Sequence, residues 1–219
     1  MPMEFVAARG AGVATATMNV QLPAGTQVGD ICVLLWHVDQ GNFVSAGAGW
    51  TALHAWSRSG RPYYKRMATE ADLTQANNFV LGGTAAFEQY YNIMSFRGGD
   101  PALNAPPFSA VNIDSTDSTP EVPNVTAVNP DAAHAIFAFI PTGSSTITGW
   151  PDGYTAGTQV SEGGDGISYS RYKILDAPGL VSGLTLTQSS GIATCDVYSI
   201  LIEPLMGEPA PGLFFGNNY

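Results

Sequence analysis

The residues of this chain that could do chemistry are three histidines, two cysteines and a few neighbouring carboxylates. His37 and His134 sit inside apolar runs, where a histidine is expected to be a satisfied core or interface residue, and His54 stands apart from both. None of them has a serine or cysteine beside it in a nucleophilic setting. The chain has no G-x-S-x-G elbow, no phosphate-binding loop and no H-E-x-x-H pair. Gly10-Ala11-Gly12 is too short to be a dinucleotide fingerprint. Glu162 and Asp165 are the nearest thing to a glycosidase acid pair. Both lie in the glycine-rich stretch SEGGDG, which reads as a hairpin turn. Asp114, Asp117 and Glu121 lack the glycine and the regular alternation of a calcium loop. Cys32 and Cys195 lie in separate strand-like runs and read as buried free thiols; with three scattered histidines they make no metal-ligand set. The sequence therefore assigns no catalytic residue, no cofactor and no metal, and the expectation is a protein that is not an enzyme.

Binding chemistry is the other possibility. A sugar-binding surface needs exposed aromatic rings with polar groups around them, and Trp36, Trp56, Trp150 and the pair Tyr90-Tyr91 are candidates. Trp150, in the turn TGWPDGY with Tyr154 close behind, is the best placed for contact with a host glycan. Nucleic acid is a poor fit. The 18 acids and 8 bases give a formal net charge of −10, and counterion release requires clustered cations. The one basic cluster, Arg58, Arg61, Lys65 and Arg66, reads as a solvated hairpin edge. No apolar run approaches the roughly 18 residues of a membrane span. The opening MPMEFVAARGAGVATA lacks the basic and apolar regions of an export signal, so the expected site of synthesis is a cytoplasm-like compartment, with exit by lysis.

The elements that must position these residues are strands. The 25 glycines and 15 prolines punctuate the whole length at short intervals, which suits strands better than helices. The runs between them are rich in Val, Ile, Thr and aromatics. Expected strands fall at 3–8, 17–22, 30–38, 50–57, 62–68, 78–81, 87–96, 121–127, 132–140, 153–158, 167–174, 184–187 and 194–202. The run Ile31-Cys32-Val33-Leu34-Leu35-Trp36 is apolar on both faces, so it reads as a central strand covered on both sides, or as one with a face in the core and a face at an interface, and 132–140 reads the same way. One helical turn or two is expected over 69–75, with Thr69 as cap and Glu70 and Asp72 in the first turn. Residues 98–120 read as a long connection from one sheet to the other.

The two halves echo each other. Asp30–Trp36 matches Asp131–Phe137. Gly49-Trp50-Thr51-Ala52 matches Gly153-Tyr154-Thr155-Ala156, and Tyr64-Lys65 matches Tyr172-Lys173. Met94-Ser95-Phe96 matches Tyr198-Ser199-Ile200. About four strands from each half cannot hide an apolar face alone. The expected fold is thus all-β: a single antiparallel β-sandwich or jelly roll of about eight core strands, built from two related halves over residues 1–203. A Pro/Gly-rich C-terminal arm follows over 204–219, outside the sheets. Its Leu213, Phe214, Phe215 and Tyr219 are costly if left in water, so the arm docks either on its own domain or on a neighbouring subunit, and in the second case they are the candidate assembly contacts.

One string is distinctive. It consists of Gly29-Asp30 before an apolar strand, Gly49-Trp50-Thr51, the aromatic run Tyr63-Tyr64-Lys65-Arg66-Met67-Ala68, and Phe96-Arg97-Gly98-Gly99-Asp100-Pro101. This string resembles a group of β-sandwich virion structural proteins of tailed bacteriophages and prophages, over residues 28–202. The resemblance implies a head decoration, head-fibre or tail component located in the virion. Its partners would be its own copies and a capsid or tail protein, and a carbohydrate-binding module that touches host glycans is the alternative. Read physically, the same residues have fold-holding roles. Gly29-Asp30 is a turn into a buried strand, Trp50 plugs one end of the sandwich, and Arg97 pairs with an acid or bonds loop carbonyls.

Overall fold

The apolar run Ile31–Val38 forms a central strand whose eight residues are all buried, and Ala133–Ile140 is its counterpart in the second half. The structure, a computed structural model, describes residues 2–38, 42–53, 60–82, 88–100, 108–114, 118–141, 145–162, 166–189 and 194–205. The first half supplies β1 (Glu4–Ala14), β2 (Thr17–Asn19), β3 (Ile31–Val38), β4 (Asn42–Ser45), β5 (Thr51–Ala52), β6 (Gly60–Arg66), α1 (Glu70–Thr74), β7 (Asn78–Gly82) and β8 (Glu88–Arg97). The second supplies β9 (Phe108–Asp114), β10 (Val125–Ala127), β11 (Ala133–Ile140), β12 (Ile147–Gly149), β13 (Thr155–Glu162), β14 (Gly166–Ile174), β15 (Gly179–Val181), β16 (Thr187–Gln188) and β17 (Cys195–Ile202).

The strand order shows the duplication. One five-stranded sheet runs β1-β8-β3-β6-β5 and the other β9-β17-β11-β14-β13, so every position of one has a counterpart in the other. In the first half a three-stranded sheet, β2-β7-β4, covers the outer face. The second half covers its outer face with β10-β15 and β12-β16, joined by a bridge between Glu121 and Thr185. A large sheet with the first, eighth, third and sixth strands side by side, backed by the second, seventh and fourth, is the jelly-roll order. The all-β sandwich expected from the sequence is present, and its two halves are richer than the four strands apiece expected. The added strands come largely from the short outer ribbons, which carry too few residues to stand out in the sequence.

Alternation along the central strands shows how the halves pack. Cys32, Leu34, Trp36 and Val38 point into the first half's own core with Met18, Phe79 and Tyr91. Ile31, Val33 and Leu35 point the other way and meet Ala133, Ala135, Phe137, Tyr198 and Ile200 of the second half. Ile136, Ala138 and Ile140 face the second half's own core, with Leu186 and Val197. The two large sheets therefore lie face to face, each with its ribbons outside. His37 and Phe139, which occupy matching places in the two halves, stack on each other with ring centroids 3.9 Å apart.

Pairing fixes the register of the repeat. Ile31 pairs with Arg66 and Phe96, and Ala133 pairs with Ile174 and Ile202. Ile31 is thus equivalent to Ala133, one residue on from the match of Asp30 with Asp131 read from the sequence. That correction matters because a one-residue slip would turn each core side chain to the opposite face. The matches of Thr51 with Thr155 and Tyr64 with Tyr172, which pair alike in both sheets, stand as read, while that of Met94–Phe96 with Tyr198–Ile200 slips by two, since Phe96 pairs with Ile31 and Ile202 with Ala133.

Two local readings are also settled. The helix is α1, capped at Thr69, whose backbone N–H and hydroxyl both donate to Asp72 Oδ2 at 2.9 Å. The long connection over 98–120 does cross between sheets, but it also holds β9, which pairs with β17. Its prolines lie outside that strand, so the flanking breakers hid an edge strand that tertiary pairing recruits.

In the corrected register, Gly29 and Asp131 are equivalent. Gly29 has φ 97° and donates its N–H to Met67 O at 2.7 Å; Asp131 has φ 61° and donates to Leu175 O at 2.8 Å. An aspartate tolerates this left-handed backbone only with some strain. Asp131→Gly is expected to leave stability unchanged or raise it by up to about 1 kcal/mol, and Asp131→Val to lower it by more than about 1 kcal/mol. Urea denaturation of both variants checks this.

Candidate functional site

Where the chain enters and leaves its central strands, charged side chains clamp the loops. Arg97, the last residue of β8, donates from Nε to Asp30 Oδ1 at 2.9 Å and from Nη2 to Asp30 Oδ2 at 3.0 Å. It also donates to Gly25 O at 3.1 Å. Asp30 is 1% exposed and accepts the Gln27 N–H at 2.8 Å. Both roles expected of Arg97 are thus filled at once. The equivalent residue after β17 is Glu203, with the opposite charge. Its carboxylate accepts the backbone N–H groups of Val128 (2.8 Å) and Asn129 (3.1 Å). The two ends then pair with each other through Asp100 N–H to Glu203 O at 3.0 Å.

The Gly-aromatic-Thr corners form a second matched pair. Gly49 (φ 78°) and Gly153 (φ 79°) turn the chain at the same place. A Cβ on Gly49 would stand 3.1 Å from Lys65 Cε, and one on Gly153 3.1 Å from Lys173 Nζ. Only glycine provides both the backbone angle and the room for the lysine. Trp50, buried as expected, donates its indole N–H to Asn77 Oδ1 at 3.0 Å. Lys65 is 1% exposed, donates to Ala48 O at 2.9 Å and lies 3.4 Å from Asp72 Oδ1. The expectation of a solvated basic edge therefore fails for Lys65, whose stem fills the corner and whose ammonium caps loop carbonyls. Arg66 also departs from it, donating to Gly29 O and to Asp100 O.

At the second corner the structure brings together a trio that the sequence leaves dispersed. The imidazole of His134 meets the Tyr154 hydroxyl at Nδ1 and the Ser199 hydroxyl at Nε2. Burial, with a smaller contribution from Lys173, pushes His134 down to about 4, and burial pushes the Tyr154 hydroxyl up. The ring is therefore neutral at pH 7, and in a neutral imidazole one nitrogen donates and the other accepts. A serine beside a neutral histidine has the outline of a nucleophile and its base. Here Ser199 and His134 are both 0% exposed, so the hydroxyl has no path to a substrate without opening the sheet. At the equivalent positions the first half has Cys32, Trp50 and Ile93, an apolar solution to the same space. The match between Gly49-Trp50 and Gly153-Tyr154 was the available signal for this trio; the one-residue register error concealed that residue 134 sits beneath Tyr154.

The remaining candidates fall as follows. Cys32 and Cys195 are free and buried, each in the core of its own half, and burial pushes the Cys32 thiol up to about 12. Trp36, Tyr90 and Tyr91 are core residues; the Trp36 indole donates to Gln89 Oε1 at 3.0 Å. Trp150 and Tyr154 are both partly buried against the second core. The Arg171 guanidinium lies 5.1 Å from the Trp150 ring centroid, and Lys173 Nζ 5.9 Å from that of Tyr154. The side chains of Asp114 and Glu162 lie outside the described residues, as do Asp117, Asp165, His54, Trp56, Arg58 and the arm residues Leu213, Phe214, Phe215 and Tyr219. Among the described residues there is no group of three or more metal-ligating side chains, and no helix long and apolar enough to cross a membrane.

One surface feature was not singled out from the sequence. A recess of about 400 Å³ lies between Arg9 of β1, the exit of β2 at 19–22 and the segment 73–77 after α1. A lone arginine in a strand of alanines and glycines was the only signal for it. No family model, curated protein or solved structure matches this chain.

Two measurements check this geometry. Arg97→Met leaves the Asp30 carboxylate buried without its cation, and is expected to cost about 3–5 kcal/mol in denaturant unfolding. For His134 the folded pKa is depressed, so the unfolded chain takes up its proton first as pH falls. The contribution is complete above about pH 6.5 and is lost between there and about pH 4, to a total of about 3 kcal/mol. Unfolding at a series of pH values should show this acid limb in the native chain and a flatter one in His134→Gln.

Proposed function

We propose that this chain is a non-enzymatic structural or accessory protein of a phage particle, a capsid decoration, head-fibre or minor tail component. It would act by contacts with its own copies and with a capsid or tail protein. The observation that carries the reading is where the chemistry-capable side chains went. The described histidines and cysteines, with Ser199, Lys65 and the Asp30–Arg97 pair, are spent on packing and on clamping loops. What remains for function is surface. The residues that resemble the phage family support the same reading: Asp30 and Arg97 are two ends of one ion pair, and Gly49, Trp50 and Lys65 are one corner. A motif shared for fold is what a family of assembly proteins with varied attachment points would keep.

The alternative is a carbohydrate-binding module with Trp150 and Tyr154 as contacts. At those two residues the geometry favours it less, because the Tyr154 hydroxyl is engaged by His134 and Arg171 lies over the Trp150 ring.

Immunogold labelling of particles from the source lysate tests the proposal. Gold over capsids or along tails is the expected result, and unlabelled particles would reject it. Deletion of residues 208–219 is expected to leave the unfolding transition of the β domain in place and to lower incorporation into particles. Unchanged incorporation would remove the arm from the assembly role.

A further inference from the structure

The recess beside Arg9 is built on rigid ground. Val20 donates its N–H to Asn77 O at 2.9 Å, and Gln21 donates its N–H to the Tyr91 hydroxyl at 3.3 Å. Asn77 is 3% exposed and is held through its side chain by Trp50 and Lys65. Asp72 caps the adjoining helix and also accepts Gln75 Nε2 at 3.1 Å. The backbone walls are therefore set before any ligand arrives, and the ordering cost of binding falls on the exposed side chains of Arg9, Asn19 and Gln21.

The lining is of two kinds. Leu22 and Leu73, partly buried over Val20, supply apolar surface. Arg9, Asn19 and Gln21 supply polar groups, and none of these three side chains has a hydrogen-bond or ion-pair partner among the described residues. Amide side chains offer donors and acceptors together, which is what sugar hydroxyls require, and a guanidinium offers a planar fork that fits a carboxylate. Apolar surface takes the C–H face of a sugar ring. The volume of about 400 Å³ lies at the lower end of ligand sites, enough for one or two rings. A single cation in a chain of net charge −10 suits one carboxylate better than a densely charged polyanion.

The duplication provides an internal comparison. The second half has a recess at the equivalent place, about 330 Å³, lined by Glu121, Val122, Asn124 and residues 183–185. There Val122 donates its N–H to Leu184 O at 2.9 Å, as Val20 does to Asn77 O. Glu121 stands at the position of Asn19, and β15 lies between β14 and β16 along the chain as α1 lies between β6 and β7. The hollow is thus a product of the fold, but a carboxylate at its rim would repel an acidic ligand. Among the described residues only the first recess carries a cation; where it has the amides of Asn19 and Gln21, the second has Glu121 and the single amide of Asn124.

We propose that the recess formed by Arg9, Asn19, Gln21 and the segment after α1 binds a carboxylated sugar, with Arg9 on the carboxylate and the two amides on ring hydroxyls. This goes beyond the particle reading and does not depend on it, since a virion component and a free module could both carry such a site.

Titration of the isolated full chain, followed by calorimetry or NMR, tests it with methyl glucuronide, methyl glucoside, acetate and inorganic phosphate. Methyl glucuronide should bind at least about tenfold more tightly than methyl glucoside, which carries a neutral hydroxymethyl group in place of the carboxylate, and than either free anion. Arg9→Gln, a change on the exposed surface, should abolish that preference, and Gln21→Ala should weaken binding several-fold. Trp150→Ala, which removes packing from the second half's own core, should leave glucuronide binding by the folded protein unchanged. No binding of the glucuronide, equal binding of acetate or phosphate, binding that survives Arg9→Gln, or binding lost in folded Trp150→Ala would each overturn the assignment. Particle labelling reads the other proposal separately, so failure of one leaves the other standing.

Discussion

The structure depends on two strands that have no face for water. β3 and β11 are buried along their whole length, one face against their own ribbons and the other against the opposite half. A single jelly roll covers one face of its large sheet. The other face here carries Ile31, Val33, Leu35, Met94 and Phe96 on one side and Phe137, Tyr198 and Ile200 on the other. Burying one such side chain contributes roughly 1.5–3 kcal/mol, and a whole domain is stable by only about 5–15 kcal/mol. Exposing this layer would offset much of the stability of either half, so each half relies on the other to cover it. The clamps at the strand ends follow from the same constraint. Chain entering a doubly covered sheet must bury backbone groups at its threshold, and Asp30, Arg97 and Glu203 satisfy them there.

The duplication separates what the backbone requires from what side chains may vary. Both halves keep the hydrogen bonds that place the central strand: Gly29 to Met67 and Asp131 to Leu175, Met67 to Asp30 and Leu175 to Ala132. Both keep a glycine with positive φ under a lysine stem. The groups that fill the space differ. An arginine clamping an aspartate in one half becomes a glutamate collecting amide N–H groups in the other. The apolar set of Cys32, Trp50 and Ile93 becomes the hydrogen-bonded set of His134, Tyr154 and Ser199. The polar solution works only because each member satisfies another, since an unpaired polar group in that position would cost more than the apolar packing it replaced.

The layered β fold, both doubly covered strands, α1 with its cap and the kind of partner Arg97 takes, though not its identity as Asp30, were legible in the sequence. Each is a local pattern with one physical reading, such as alternation, an unbroken apolar run or an acid three residues past a threonine. Part of the outer ribbons was legible, at 17–22, 78–81, 121–127 and 184–187; strands such as β12 and β15 were not, because they have three residues each and owe their existence to the neighbours that pair with them. The repeat was visible and its register was not. Asp131 resembles Asp30 in type, but its backbone takes the place of Gly29, and only hydrogen-bond pairing reveals that. The same slip hid the trio around His134. The recess beside Arg9 was out of reach for a different reason, because it joins residues 9, 19–22 and 73–77, which come together only when β2 pairs with β7 and the sheet carrying β1 packs beneath them.

A duplicated fold offers its own test of which side chains are there for the fold. Buried residues that differ between the halves, such as Trp50 and Tyr154, are alternative fillings of one cavity, and each is balanced by its neighbours. An exposed difference has no such balance to keep. Arg9 and Asn19 on one recess and Glu121 on the other are not required by packing, since the hollow forms with either set. Selection for stability alone gives a surface guanidinium little reason to stand unpaired over a hollow that its own fold has already shaped. In a chain with so few cations, where the others described are largely engaged in clamps and corners, that position is where a demand from outside the fold is most directly read.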